Sequence, residues 1–393
     1  MASRSAAGSG NERGRRVSTP PVEGTCDERY LPLREAFATN LATLDEHGAA
    51  VAVWRDGRLV VDLWGGWRDQ AGTLRWTADT LVCMMSVVKG VSAMLVHVLA
   101  DRGLVDLDCP VAHYWPAFAQ GGKSAVLVRH ALDHRAGIPA LANEVPRDTV
   151  FDWDAMTAAI AAEPARWAAG TVPAYHPVTM GFILGELIRR TTGIMPGALL
   201  RELMGPPGTF DYFIGVPPSV ANPVAEVFGD YANTIFGATD RATLACTSVA
   251  TLHVDTFNTP AFRQAEIPSI NGHGTPRAVA TLFGQLAECR AGRRAAPLST
   301  AAIARATTEQ WWAIEQTSMQ ERRMAMGLLL GGAKGVPIPP NPHAFGHGGA
   351  GGAVAFADPD LGLGFAYGTA HLHDRKGASP RTGALVEALL ACA

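Results

Sequence analysis

The chain has 393 residues, 48% hydrophobic and 18% charged, with a formal net charge of −3 at pH 7. That length allows one large domain or two interleaved ones around an ample core. The near-neutral balance, with no basic run interleaved with aromatics, speaks against nucleic acid or an anionic membrane as partner.

Met1 to Thr25 is rich in Ser, Gly and Arg and has no apolar h-region. It reads as a disordered tail over residues 1–25, not as a secretory signal. No apolar run is long enough to span a membrane. The six cysteines lie far apart without a C-x-x-C pair, a pattern of reduced thiols in a cytoplasmic protein and not of a metal site or disulfide framework. No cofactor is expected, and the chain can be a monomer or a homo-oligomer.

Pro32 to Glu46 predicts an amphipathic helix. Ala49 to Trp54 and Arg58 to Trp64 are β-rich runs joined by Asp56-Gly57, a strong hairpin signal. After Ser86, the apolar positions Val87, Val88, Val91, Met94, Leu95, Val98 and Leu99 mark a buried helix, which Gly103 can end. Leu104 to Trp115 reads as loop. Val126 to Asp133, Trp153 to Ala162 and Thr179 to Thr192 read as helices, with a loop over Gly170 to Pro177. Pro196 to about Val254 is weakly patterned. Gly274 to Arg290 and Thr300 to Gln310 predict helices, and Met324 to Leu330 a strand. Ala353 to Ala357 and Leu363 to Thr369 predict a hairpin turned by Asp358-Pro359-Asp360, and Arg381 to Cys392 a last helix. Strands at both ends with helices between suggest one antiparallel sheet built from residues 26–85 and 320–393. A mostly helical region over 86–319 is then inserted into it, with a site at the junction.

The candidate chemistry starts at Ser86-Val87-Val88-Lys89. Residues three apart share a helix face, so the hydroxyl and the amine can meet. A serine needs a base to become a nucleophile, and a lysine is a base only where burial lowers its pKa. The alternative is a helix-capping serine beside a surface lysine. Lys89 lies among apolar residues, however, and is one of only four lysines against 29 arginines. Arginine would serve for a surface charge but not as a base.

Tyr175, in a loop running into a helix, can share the serine's proton or simply pack there. His347 stands in Phe345-Gly346-His347-Gly348-Gly349-Ala350-Gly351-Gly352, where small residues let a substrate lie close to the backbone. The N–H groups of Ser86 and Ala350 are candidate oxyanion donors. A glycine-rich turn with a surface histidine is the other reading. The same stretch matches G-x-G-x-x-G, but it does not follow a strand and open a helix, so a dinucleotide site is rejected. His134, His273, His371 and His373 read as surface or core histidines. Trp311-Trp312 can line an acyl pocket or pack in the core, and His176 is a further candidate for substrate contact.

Ser86-x-x-Lys89, Tyr175 and His347-Gly348-Gly349, in that order, resemble the serine β-lactamase and penicillin-binding protein superfamily. The nearest resemblance is to the class C β-lactamase-like carboxylesterases, the family VIII esterases. Val53-Trp54-Arg55-Asp56-Gly57, Leu99-Ala100-Asp101-Arg102-Gly103 and Val128 to His134 are also similar to that group. The resemblance implies an α/β (α+β) domain with a central antiparallel sheet, an inserted all-helical domain, and the site between them. It implies Ser86 as nucleophile, Lys89 and Tyr175 as base system, Ser86 and Ala350 as oxyanion hole, and His347, Gly348 and Gly349 on the wall strand. β-Lactamases carry an asparagine where this chain has Pro177, and K-T-G where it has His347-Gly348-Gly349. Both departures point toward small-molecule esters with no required carboxylate. An acyltransferase or an amide or β-lactam hydrolase on the same site, or a non-catalytic binding module, are the alternatives.

Overall fold

The structure, a computed structural model, describes residues 21–142, 145–229, 254–294, 296–372 and 379–393. Residues 1–20 of the expected tail, positions 230–253 of the weakly patterned stretch, Cys246 and His373 lie outside the described residues.

The strands are β1 (Glu23–Cys26), β2 (Gly48–Arg55), β3 (Arg58–Gly66), β4 (Val82–Cys83), β5 (Tyr212–Ile214), β6 (Gly272–Gly274), β7 (Trp311–Ile314), β8 (Glu321–Met324), β9 (Leu329–Leu330), β10 (Phe345–Gly348), β11 (Val354–Asp358) and β12 (Leu363–Thr369). Nine of them form one sheet in the order β1-β3-β2-β12-β11-β10-β9-β8-β7. The two ends of the chain meet at β2 and β12, where Leu363 to Thr369 run antiparallel to Arg55 to Ala49.

Alternation along β2 sorts its side chains to two cores. Val51 and Val53 face the first helix (Leu31–Thr43) and the last (Pro380–Cys392), which together cover one side. Ala50, Ala52 and Trp54 face the other side, with the Val87–Asp101, Thr179–Thr192 and Pro276–Arg290 helices. The Pro276–Arg290 helix comes very close to the sheet. A Cβ on Gly284 would lie 2.2 Å from the Trp54 ring, and one on Gly364 would lie 2.1 Å from the Gly284 nitrogen. Its start is set by Pro276 at the first position and by the Thr275 side chain, which accepts from the Ala278 N–H.

Several expectations are corrected. Residues 23–25, assigned to the tail, belong to β1, with Glu23 opposite Trp64. This short edge strand is mostly exposed, so no hydrophobic alternation betrays it. The helical region does not run to residue 319: the Pro276–Arg290 helix packs on the sheet, and β7 is the sheet's edge. The single strand expected over Met324 to Leu330 is split between β8 and β9, because Gly327 turns the chain at φ 85°. The helix expected over Thr300 to Gln310 ends at Ala306.

A second sheet, β4-β6-β5, has strands of two or three residues. It delivers the chain to Ser86, and the Met84 N–H extends its ladder to the Gly272 carbonyl at 2.8 Å.

Candidate active site

Just before Ser86, Met85 takes a φ of 49°, in the left-handed region that a long side chain occupies only when its surroundings impose it. The Val87–Asp101 helix then begins, with Ser86 at its N-cap position but making no side-chain cap. The hydroxyl turns instead to Lys89, whose Nζ lies 3.2 Å from Ser86 Oγ. Nζ also donates to the carbonyls of Pro177 and Ser269, both at 2.7 Å. Lys89 is fully buried. Burial holds the amine well below the usual lysine range, and the Arg322 guanidinium pushes the same way.

Tyr175 comes from the loop ahead of the Thr179–Thr192 helix, and its ring stands beside Lys89. Lys89 Nζ lies 5.0 Å from the centre of its ring. Burial pushes the phenol up to about 12, while Arg322 and, less strongly, Ser86 pull it down. A wall is supplied by β10. His347 is buried, its ring centroid is 6.3 Å from that of Tyr175, and its Nδ1 bonds the Gly348 carbonyl at 2.7 Å. Nδ1 therefore carries the hydrogen, and Nε2, without a partner among the described residues, is left as an acceptor. Burial lowers this imidazole to about 3, so it is neutral. The next turn lies against the Met84–Ser86 turn, since a Cβ on Gly349 would be 2.3 Å from the Met84 carbonyl oxygen. Among the described residues, no hydrogen bond uses the backbone N–H of Ser86 or of Ala350.

The other two candidates differ. His176 is fully buried, with Nδ1 on the Ala174 carbonyl at 2.5 Å and Nε2 accepting from the Ile138 N–H at 3.2 Å. Both ring nitrogens are spent on backbone, and the ring braces the Tyr175 loop. Trp311 is partly exposed, and its indole N–H donates to the Asp133 carbonyl at 2.8 Å. That ties β7 to the residue before His134, whose ring lies 4.6 Å from Tyr175.

The beta-lactamase family model matches residues 33–389. The chain belongs to the beta-lactamase family. Within that family it is similar to a crystal structure of a family VIII carboxylesterase, with 35% identity, 95% of this chain and 100% of the other covered, and a TM-score of 0.87. A penicillin-binding protein homologue from Caulobacter crescentus is similar with the same identity, coverage and TM-score. The esterase/beta-lactamase LipL of Mycobacterium tuberculosis is 35% identical over 297 residues, which span 71% of this chain and 66% of LipL. The beta-lactamase fold, with its antiparallel sheet and flanking helices, is the one described above.

Two residues of this family member's site, Glu315 and Arg322, carry no motif in the sequence, and a third, His134, reads there only as a surface or core histidine. His134 holds the Tyr175 loop on both sides, its carbonyl accepting from the Ala174 N–H and its Nδ1 from the His176 N–H, both at 3.1 Å. Glu315 and Arg322, from the β7–β8 hairpin, reach Tyr175 across about 140 residues of chain.

Proposed function

We propose that the protein is a serine carboxylesterase that hydrolyses small-molecule esters through an acyl-enzyme on Ser86. The observation that carries this reading is the set of partners around Lys89 Nζ. Two carbonyls take two N–H groups, and the third direction faces Ser86 Oγ. A neutral amine held in this way turns its lone pair toward the hydroxyl and can take its proton. Family membership and the esterases among the similar proteins support the same reading.

In the proposed reaction, Ser86 Oγ attacks the ester carbonyl while its proton passes to Lys89 and Tyr175. The N–H groups of Ser86 and Ala350 hold the oxyanion. The tetrahedral intermediate expels the alkoxide, which takes the proton from the relay, leaving acyl-Ser86. Water then attacks the acyl carbon, gives a proton to the same pair, and the acid leaves as Ser86 regains its proton. A neutral His347 offers no charge to a substrate carboxylate and can accept a hydrogen bond. The substrate is therefore an ester without a required anionic group. No helix among the described residues is long and apolar enough to cross a membrane. The described cysteines are free thiols, and a cytoplasmic location is part of the proposal.

The test is hydrolysis of p-nitrophenyl butyrate by the wild type and by Ser86→Ala, with fluorophosphonate labelling of both. We expect turnover to fall by more than about 10³-fold and labelling to vanish in the variant. Turnover that survives Ser86→Ala, or a wild type that neither hydrolyses nor labels, overturns the reading.

A further inference from the structure

Tyr175 is gripped by a part of the chain that the reaction just described does not use. Its backbone N–H donates to Glu315 Oε2 at 2.7 Å, and its carbonyl accepts from Thr317 Oγ1 at 2.8 Å. Glu315, immediately after β7, is fully buried. It also accepts from the N–H groups of Thr317 and Ser318, both at 2.8 Å, and from the Ser318 hydroxyl. From β8, the Arg322 guanidinium lies over the Tyr175 ring, with its carbon 4.5 Å from the centroid. Arg322 Nε stands 3.7 Å from Glu315 Oε1, and Nη2 donates to Gln320 Oε1 at 3.2 Å. A hairpin at the far edge of the nine-stranded sheet thus ends on the phenol beside the nucleophile.

This arrangement exceeds what a brace needs. A carboxylate on the backbone would suffice to hold the loop, and an apolar side chain would cover the ring as well as a guanidinium does. A partly buried cation instead gains from a partner, and here that partner is the same carboxylate that holds Tyr175.

We propose that the β7–β8 hairpin is the positioning element of the tyrosine base: Glu315 fixes the Tyr175 backbone, and the Arg322 guanidinium, anchored by Glu315, supplies a fixed positive charge on the phenol ring. The proposal rests on the reading of Tyr175 as part of the base system. Both residues are positioning residues, acting through Tyr175.

The side chains that face Tyr175 are Ser86 and Lys89 from the nucleophile's helix, His134, His347 from β10, and Arg322 and Glu315 from the hairpin. Burial holds His134 and His347, and His176 next in the chain, on the neutral side. Burial also holds Lys89 well below the usual lysine range, and Arg322 and Glu315 are the guanidinium and the carboxyl group of this set. A cation beside a base favours loss of the proton, so Arg322 acts downward on both Lys89 and Tyr175, and Glu315 acts upward on Tyr175. Whichever of the two takes the serine proton, removing Arg322 moves the acid limb of the rate profile toward higher pH.

The experiment is the pH profile of kcat/KM for p-nitrophenyl butyrate with the wild type, Arg322→Met, Arg322→Lys, Glu315→Gln and Tyr175→Phe, each checked for its melting transition. For Arg322→Met we expect a loss on the order of 10-fold at neutral pH that shrinks as pH rises, whereas Arg322→Lys keeps the limb near its wild-type place. Glu315→Gln keeps one carbonyl oxygen but turns a donor toward backbone N–H groups. It should lower kcat and move the limb the opposite way, to lower pH. An Arg322→Met profile reduced equally at every pH overturns the proposal. If Arg322→Met does not fold, a Glu315→Gln limb that stays in place or rises does so. A Tyr175→Phe enzyme with near-normal kcat is a separate result: it removes the base reading itself, whatever the hairpin variants do.

Discussion

In the proposed reaction, the proton that Lys89 takes selects its residue type. A guanidinium in the same place could donate to the Pro177 and Ser269 carbonyls, but it cannot give up its own proton and accept that of Ser86. Lys89→Arg is therefore expected to cost on the order of 10²- to 10⁴-fold in kcat, with KM changed far less because the amine touches the nucleophile and not the substrate body. Single-turnover acylation, followed by the burst of p-nitrophenol, measures this directly. Wild-type acylation rates in Lys89→Arg would leave Tyr175 as sole base. The residue beside the motif matters too: Met85 holds φ 49° so that Ser86 enters the helix turned toward Lys89, not toward the N-cap.

At the scale of elements, the contact between the Gly349 turn and the Met84–Ser86 turn joins β10 to the proposed nucleophile. A methyl group at Gly349 would sit 2.3 Å from the Met84 carbonyl oxygen, which is backbone and cannot swing aside. Gly349→Ala should push the two turns apart and lower kcat/KM by about 10²-fold, as a displacement near 1 Å does, while the melting temperature moves little. Gly383→Ala is the matched control: that helical glycine has nothing within 4 Å of a built Cβ, so activity should hold and stability rise by up to about 1 kcal/mol. Equal activity in both variants would dissociate the turn from catalysis. The long elements were legible in the sequence because periodicity marks them: the Val87–Asp101 and Thr179–Thr192 helices and the β2–β3 and β11–β12 hairpins lie close to where the pattern puts them. β4, β5 and β6 have only two or three residues, too few for any period to show. β8 reads Glu-Arg-Arg-Met, with charges where a strand face should be apolar. The proposed serine and lysine stand out in the sequence by spacing and residue type, whereas Tyr175 and His347 take their proposed roles from the family resemblance. Glu315 and Arg322 were not, because their partner lies about 140 positions away and the fold alone makes the contact.

The whole molecule closes by bringing its first and last segments together, and one buried ion pair fastens that closure. Glu46, between the first helix and β2, and Arg381, in the last helix, are both fully buried, with Nη1 2.8 Å from Oε1. Tyr367 donates to the same carboxylate, and Thr369 does so at 2.8 Å, so β12 is tied in as well. Arg381 Nη2 donates to the His371 carbonyl at 2.8 Å, and the Arg381 carbonyl accepts from Asn40 in the first helix at 3.0 Å. Burial raises the Glu46 carboxyl, and the Arg381 charge, more than the hydrogen bonds, opposes that rise. Arg381→Met leaves that carboxylate buried without its cation and should cost about 3–5 kcal/mol in denaturant unfolding at neutral pH. The sign of the pH dependence follows from linkage. With its cation gone, Glu46 keeps a proton in the folded state that the unfolded chain releases. The folded state then binds more protons, and stability falls as pH rises from the unfolded carboxylate range toward neutrality. The deficit of Arg381→Met should therefore be largest at neutral pH and shrink on acidification. Glu46→Gln placed on top of it should recover a large part of the loss, since no buried charge then remains. A deficit that is the same at acid and neutral pH, with no recovery in the double variant, would mean that Arg381 acts by packing alone and that closure of the sheet does not depend on the pair.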